Sequence, residues 1–122
     1  MNFVRACKSM FALLTVCLLS LSSSSQAATY NHDMSAYEKI ASHALDRAEA
    51  NDLGGAHKEL VELEEKWDSG TKDLKAANAA LWNQVDQRLD SALKSSDGKD
   101  SKKAAADIKG LLDQLGHVAK AK

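Results

Sequence analysis

Proline is absent from this sequence of 122 residues, and cysteine and aromatic residues are scarce. Without proline, no backbone position lacks the N–H that a helix needs, and the abundance of alanine, leucine, lysine and acidic residues favours helix throughout. The two cysteines, Cys7 and Cys17, both lie near the start of the chain. The rest of the chain is therefore expected to hold no disulfide and no cysteine metal site.

Residues 1–28 have the order of a secretory signal peptide. Two basic residues come first, a short apolar run follows over residues 10–21, and Gln26-Ala27-Ala28 closes the segment. The apolar run is shorter than the roughly 20 residues that a membrane-spanning helix needs, so cleavage after Ala27 or Ala28 is expected rather than an uncleaved anchor. The sequence thus predicts a periplasmic protein with one domain, residues 29–122, and no membrane span after cleavage.

Charge and motifs exclude several classes of function. Removal of residues 1–28 takes Arg5 and Lys8 away and lowers the net charge from −1 to −3. No basic face is present, so nucleic-acid binding is not expected. The chain has no Gly-x-Ser-x-Gly, no His-Glu-x-x-His and no phosphate-binding glycine loop, which indicates a protein that is not an enzyme.

Apolar residues recur every three or four positions, which is the spacing of amphipathic helices. Leu53, Leu60 and Trp67 mark one such stripe, and Leu81 and Leu89 mark the next. The pattern predicts an all-α fold with helices over about 35–50, 53–70, 71–94 and 101–122. Short connections favour an antiparallel up-down-up-down four-helix bundle. The alternative is an open array of helix hairpins that dimerises.

Several residues are expected to begin or end these helices. Ser35 and Glu38 fit a capping box, with Asp33 as an alternative cap. Asp52 is expected to cap the second helix. Gly70 is expected to end that helix in the left-handed conformation.

Asn78 is the one polar residue near the centre of the third apolar stripe. A buried amide must find hydrogen-bond partners. We expect it to pair with Tyr37 or to lie where water reaches it. Asp100 or Ser101 is expected to cap the fourth helix.

Carboxylates concentrate on the second and third predicted helices. Asp86 and Asp90 are one helical turn apart and share a face, and His57 and Glu64 share a flank of the preceding helix. Hard cations such as iron and calcium take oxygen ligands from such groups, and a histidine can complete a transition-metal site. The candidate metal ligands are Glu64, Asp86 and His57; the alternative is an ordinary solvated surface.

A second candidate site would bind haem b. In size and layout the chain is similar to the small periplasmic four-helix cytochromes of the b562 type, which ligate haem with a methionine near the start of helix 1 and a histidine near the end of helix 4. Met34 and His117 occupy those places here. Helical spacing places Met34 on the inward stripe but His117 on the outer face, unless Gly116 distorts the last turn.

Residues 44–67, followed by Leu81-Trp82-Asn83-Gln84-Val85-Asp86, resemble the helical extracytoplasmic domain attached to FTR1-type iron permeases and related stand-alone domains of unknown function. The resemblance implies a periplasmic module linked to iron or other metal-ion uptake, with Glu64 and Asp86 at the site. An inner-membrane metal-uptake component or another periplasmic protein would be the partner. The membrane segments and the Arg-Glu-x-x-Glu motif of the permeases are absent, so transport itself is not implied. The remaining alternative is a structural module that offers a helix face to another protein.

Overall fold

The computed structural model describes residues 33–121, so the predicted signal peptide lies outside the described residues. Every regular element in this part of the chain is a helix, and the all-α prediction is confirmed. Four helices are long and one is short. They are α1 (Ser35–Glu49), α2 (Leu53–Gly70), α3 (Lys72–Ala77), α4 (Ala79–Ser96) and α5 (Ser101–Lys120).

The long helices bury the apolar stripes that their sequences predict. Leu60, Leu63 and Trp67 of α2 are fully or almost fully buried, and Ile108 and Leu111 of α5 join them in one core. Burial of each such side chain contributes about 1.5–3 kcal/mol, which offsets the conformational entropy that folding removes. No helix between residues 33 and 121 combines the length and the apolar character needed to cross a membrane.

Each long helix packs on two of the other long helices: α1 on α2 and α5, and α4 on α2 and α5. Arg47 of α1 reaches Glu59 of α2 at 3.4 Å, and Glu49 of α1 pairs with Lys109 of α5 at 2.9 Å. The short helix α3 packs mainly on α4. Polar side chains also meet in two of these contacts: His57 and Ser96 between α2 and α4, and Gln84 and Gln114 between α4 and α5.

The predicted third helix is interrupted at Asn78, so its predicted continuity over residues 71–94 is wrong. Asn78 has φ −142° and ψ 74°, and its side chain accepts a hydrogen bond from the Leu81 amide at 3.1 Å. An asparagine side chain that caps a new helix competes with continuation of the old one. The break changes the buried face, because Ala77 is exposed and Trp82 is buried. Asn78 is itself exposed and does not pair with Tyr37.

The predicted caps are formed in part. Asp52 accepts from the Gly55 amide at 2.9 Å, and Asp100 accepts from two amides of the first turn of α5. At the start of α1 the N-cap residue is Met34 and no side chain caps the helix, although Asp33 accepts a hydrogen bond from the Ser35 amide at 2.9 Å. The capping box of Ser35 and Glu38 is therefore wrong.

α2 ends at Gly70 as predicted, but not through the predicted backbone conformation. No glycine between residues 33 and 121 has a positive φ, so the left-handed conformation is not used. A methyl group on Gly70 would instead overlap the Tyr37 hydroxyl. Glycine leaves room here for the Tyr37 side chain that α1 places against the end of α2.

Candidate functional site

Two contacts fix the position of α2 beside α4. The Trp67 and Trp82 rings stack with centroids 6.0 Å apart at one end of the contact. His57 Nδ1 lies 2.9 Å from Ser96 Oγ at the other end. The flanks of both helices between these contacts are therefore held close to each other.

Four carboxylates occupy these flanks, and we name them the acidic seam: Glu64 and Asp68 of α2, and Asp86 and Asp90 of α4. In each pair the residues are one helical turn apart and share a face. Glu64 and Asp86 are half-buried, whereas Asp68 and Asp90 are exposed. Within residues 33–121, none of the four forms an ion pair, because every carboxylate–cation pair of that part of the chain lies elsewhere.

The pKa values of the two half-buried carboxyls, Glu64 and Asp86, are both raised. Burial raises the pKa of Glu64, and the negative charges of Asp68, Asp90 and Asp86 raise it further. Burial likewise raises the pKa of Asp86, together with the charges of Asp90 and Asp68. The positive charge of Lys75 offsets only part of this rise in the pKa of Asp86. The acidic seam thus carries negative charge that no ion pair within residues 33–121 neutralises.

The hydrogen bonds of His57 determine which ring nitrogen is free. The Ser96 hydroxyl donates to the Leu93 carbonyl at 2.8 Å, so its oxygen accepts from His57 Nδ1–H. The neutral ring then presents Nε2 as an acceptor. His57 is half-buried at the end of the α2–α4 contact.

The predicted metal ligands Glu64, Asp86 and His57 all lie on the α2 and α4 flanks. In the part of the chain that the structure describes, however, no three histidine, cysteine, aspartate or glutamate side chains are arranged to hold a metal ion. Asp68 and Asp90 affect the pKa values of the same carboxyls, although neither was among the predicted metal ligands. Their spacing of one turn from Glu64 and Asp86 was the available signal.

The two haem candidates are placed differently from each other. Met34 is buried at the start of α1, whereas His117 is exposed near the end of α5. Gly116 lies inside α5, which continues to Lys120. The structure therefore puts the methionine in the core and the histidine on the surface.

The sequence did not reveal a network of aromatic and polar groups beside the acidic seam. Trp82 Nε1 donates to the buried Thr71 hydroxyl at 2.7 Å, and that hydroxyl donates to the Trp67 carbonyl. Lys75 Nζ lies 4.1 Å from the centroid of the Trp82 ring, which is a cation–π contact. Tyr37 meets the Trp67 ring edge-on, with centroids 5.6 Å apart.

Comparisons with known proteins add no assignment, since no protein-family model, curated protein or solved structure matches the chain. The chemistry of this site is therefore argued from its own residues. The site consists of the two carboxylate pairs of the acidic seam, the histidine His57 with its Nε2 unbonded, and the stacked rings of Trp67 and Trp82. No covalent chemistry is suggested by these groups, but carboxylates without counter-ions attract cations.

Proposed function

We propose that this chain is a non-enzymatic binding module whose acidic seam captures a hydrated divalent cation. The observation that carries the proposal is that the negative charges of the acidic seam act on one another across α2 and α4 while none of its four carboxylates has an ion-pair partner within residues 33–121. Glu64 and Asp86 are at its centre, with raised pKa values. Burial and, to a smaller extent, repulsion between the carboxylates raise these pKa values. A bound cation would relieve the repulsion, so cation binding and proton release are coupled.

The cation would keep most of its water. A complete protein ligand set is not needed for this, because hydrated hard cations are held by one or two carboxylates with water in the remaining positions. Such capture is weak, with a dissociation constant of about 10⁻³ M. Iron(II) is a divalent cation that also accepts carboxylate ligands, which agrees with the link to metal-ion uptake that the resemblance to permease domains implies.

The proposal includes the arrangement and the compartment of the module. The four long helices would form an up-down-up-down bundle, supported by the packing of each on two others. Export would follow from the charged, apolar and small-residue order of residues 1–28. A cation-capturing module in the periplasm could then deliver its cargo to an inner-membrane partner.

Manganese(II) provides the test, because its unpaired electrons broaden NMR signals of nearby nuclei. In the 15N-labelled mature chain, we expect Mn²⁺ to broaden amides near Glu64 and Asp86 first. The double substitution Glu64→Gln with Asp86→Asn should abolish this selective broadening. A matched double substitution, Asp46→Asn with Asp113→Asn, removes two exposed carboxylates elsewhere and should leave it intact.

The same titration can contradict the proposal. Broadening that is uniform over all acidic surfaces, or that survives the Glu64 and Asp86 substitutions, would mean that the acidic seam has no particular affinity. A second readout is pH, because protons compete for carboxyls with raised pKa values. Broadening near Glu64 and Asp86 should weaken as the pH falls through the raised pKa values of these carboxyls.

A further inference from the structure

A polar cleft lies between α4 and α5, on the flank of α4 opposite to the acidic seam. Its volume is about 360 Å³, and it is lined by Gln84, Gln87, Arg88, Ser91 and Gln114. This volume is at the lower end of the range for small-molecule sites. No carboxylate and no large apolar side chain contributes to the lining.

The cleft is built into the register of the two helices. Gln114 Nε2 donates to Gln84 Oε1 at 3.0 Å, and one turn away the Arg88 guanidinium lies against Gly110. A β-carbon on Gly110 would be 3.3 Å from Arg88 Nη1. Glycine at this position therefore leaves space for the guanidinium to lie across α5.

Arg88 has no partner among the described residues. Of the two arginines between residues 33 and 121, Arg47 pairs with Asp52 and Glu59, whereas Arg88 has no carboxylate of this part of the chain within 4 Å and donates no hydrogen bond to it. The Ser91 hydroxyl is already used, since it donates to the Gln87 carbonyl at 2.9 Å. The guanidinium is thus the one charge of the cleft, and it has no partner within the described residues.

We infer that this cleft is a binding site for a small monocarboxylate that also carries hydroxyl groups. A guanidinium presents paired N–H donors that match the two oxygens of a carboxylate. One guanidinium balances one negative charge, so a carboxylate fits better than a phosphate dianion in a chain whose net charge is already negative.

The two glutamines, Gln84 and Gln114, indicate which groups the ligand carries beside its carboxylate. Because Gln84 Oε1 accepts from Gln114, Gln84 keeps both amide hydrogens and Gln114 keeps its carbonyl oxygen for other partners. Neutral donors and acceptors beside a cation suit hydroxyl groups next to a carboxylate. Sugar acids have this chemistry. The inference is independent of the proposed cation capture, because it uses none of the residues of the acidic seam.

The experiment is an NMR titration of the 15N-labelled mature chain with sodium glucuronate, observing the Arg88 Nε–H and the glutamine side-chain amides. We expect shifts confined to the α4–α5 cleft, with a dissociation constant of about 1 mM. Glucose, which lacks the carboxylate, and acetate, which lacks the hydroxyls, should each bind at least about tenfold more weakly.

Variants identify the group that binds. Arg88→Gln should abolish the shifts, and Arg88→Lys should weaken binding because it keeps the charge but loses the planar fork. Gly110→Ala should also weaken binding, since it displaces the guanidinium. Lys94→Gln removes an exposed charge from the same helix and should have no effect. Equal binding of glucose, shifts that persist in Arg88→Gln, or no shift with glucuronate would each overturn the inference.

Discussion

At the scale of single residues, the end of α2 depends on one buried hydroxyl. Thr71 is fully buried, accepts from Trp82 Nε1 at 2.7 Å and donates to the Trp67 carbonyl. It therefore joins α4 to the last turn of α2. Trp67 Nε1, in contrast, is the one side-chain nitrogen or oxygen in residues 33–121 that is buried without a hydrogen-bond partner.

Thr71→Val keeps the shape of the side chain but removes the hydroxyl. The buried indole N–H of Trp82 would lose its acceptor, so we expect the free energy of unfolding to fall by about 2 kcal/mol. Urea denaturation followed by tryptophan fluorescence measures this. Ser69→Ala is the control, because its hydroxyl also donates to a carbonyl one turn back but is exposed. An equal loss in both variants would contradict the importance of the Trp82 contact.

Gly70→Ala should destabilise the protein by about 1–3 kcal/mol, since the new methyl group overlaps the Tyr37 hydroxyl. Tyr37→Phe alone removes only a long hydrogen bond, 3.4 Å to the Lys66 carbonyl. In the double variant the overlap disappears, so most of the loss caused by Gly70→Ala should be recovered. A double-mutant cycle of unfolding free energies gives the coupling, and strictly additive effects would show that the two groups do not meet.

At the scale of elements, the sequence predicts a helix correctly where apolar residues at helical spacing are all buried on one face. Leu60, Leu63 and Trp67 are three and four residues apart, and each is buried. The break at Asn78 could not be read in the same way, because the stripe continues across it in sequence. A single side chain that caps the next helix determined the outcome, and such local competition leaves the periodicity of hydrophobic residues unchanged.

Asn78→Ala tests whether this cap produces the break. Loss of the hydrogen bond to the Leu81 amide should cost about 1 kcal/mol, whereas Asn78→Asp keeps an acceptor and should cost much less. Thermal unfolding followed by circular dichroism compares the two variants. If both have the midpoint of the parent chain, the cap does not hold the start of α4.

At the scale of the whole molecule, the sequence could place carboxylates on helix flanks but could not show which flanks meet. The spacing of Asp86 and Asp90 gives them one face of one helix. Only the packing of α2 on α4 brings Glu64 and Asp68 to that face. The Arg88 cleft was hidden for the same reason, since Gly110 is distant in sequence and contacts Arg88 only in the folded chain.

The acidic seam should make stability depend on pH. The pKa values of Glu64 and Asp86 are raised above their ordinary values of 4.5 and 3.8, so the folded state binds protons more tightly than the unfolded state. Stability contributed by these groups therefore rises as the pH falls through the raised values and levels off below the ordinary ones. Glu64→Gln with Asp86→Asn should stabilise the chain at pH 7 by up to about 0.5 kcal/mol for each like-charge contact removed.

Urea denaturation of both chains from pH 7 to pH 3 checks this prediction. The advantage of the double variant should shrink on acidification and vanish below the ordinary pKa values. Asp33 and Asp52, whose pKa values are lowered by hydrogen bonds, are present in both chains and cancel in the difference. A difference between the chains that does not change with pH would contradict the role of these carboxyls.

The contact between α1 and α5 brings the two ends of the described chain together. Glu38, in the first turn of α1, reaches to within 4.0 Å of where a β-carbon on Gly116 would lie, and Asn51 meets Ser101 at the opposite end. Asp33 and Ala121 therefore lie at the same end of the helices. A short linker could join them, and new termini could be opened at Asp97-Gly98, in the exposed turn before α5. Such a circular permutant would retain every helix–helix neighbour while α5, rather than α1, led the chain out of the ribosome.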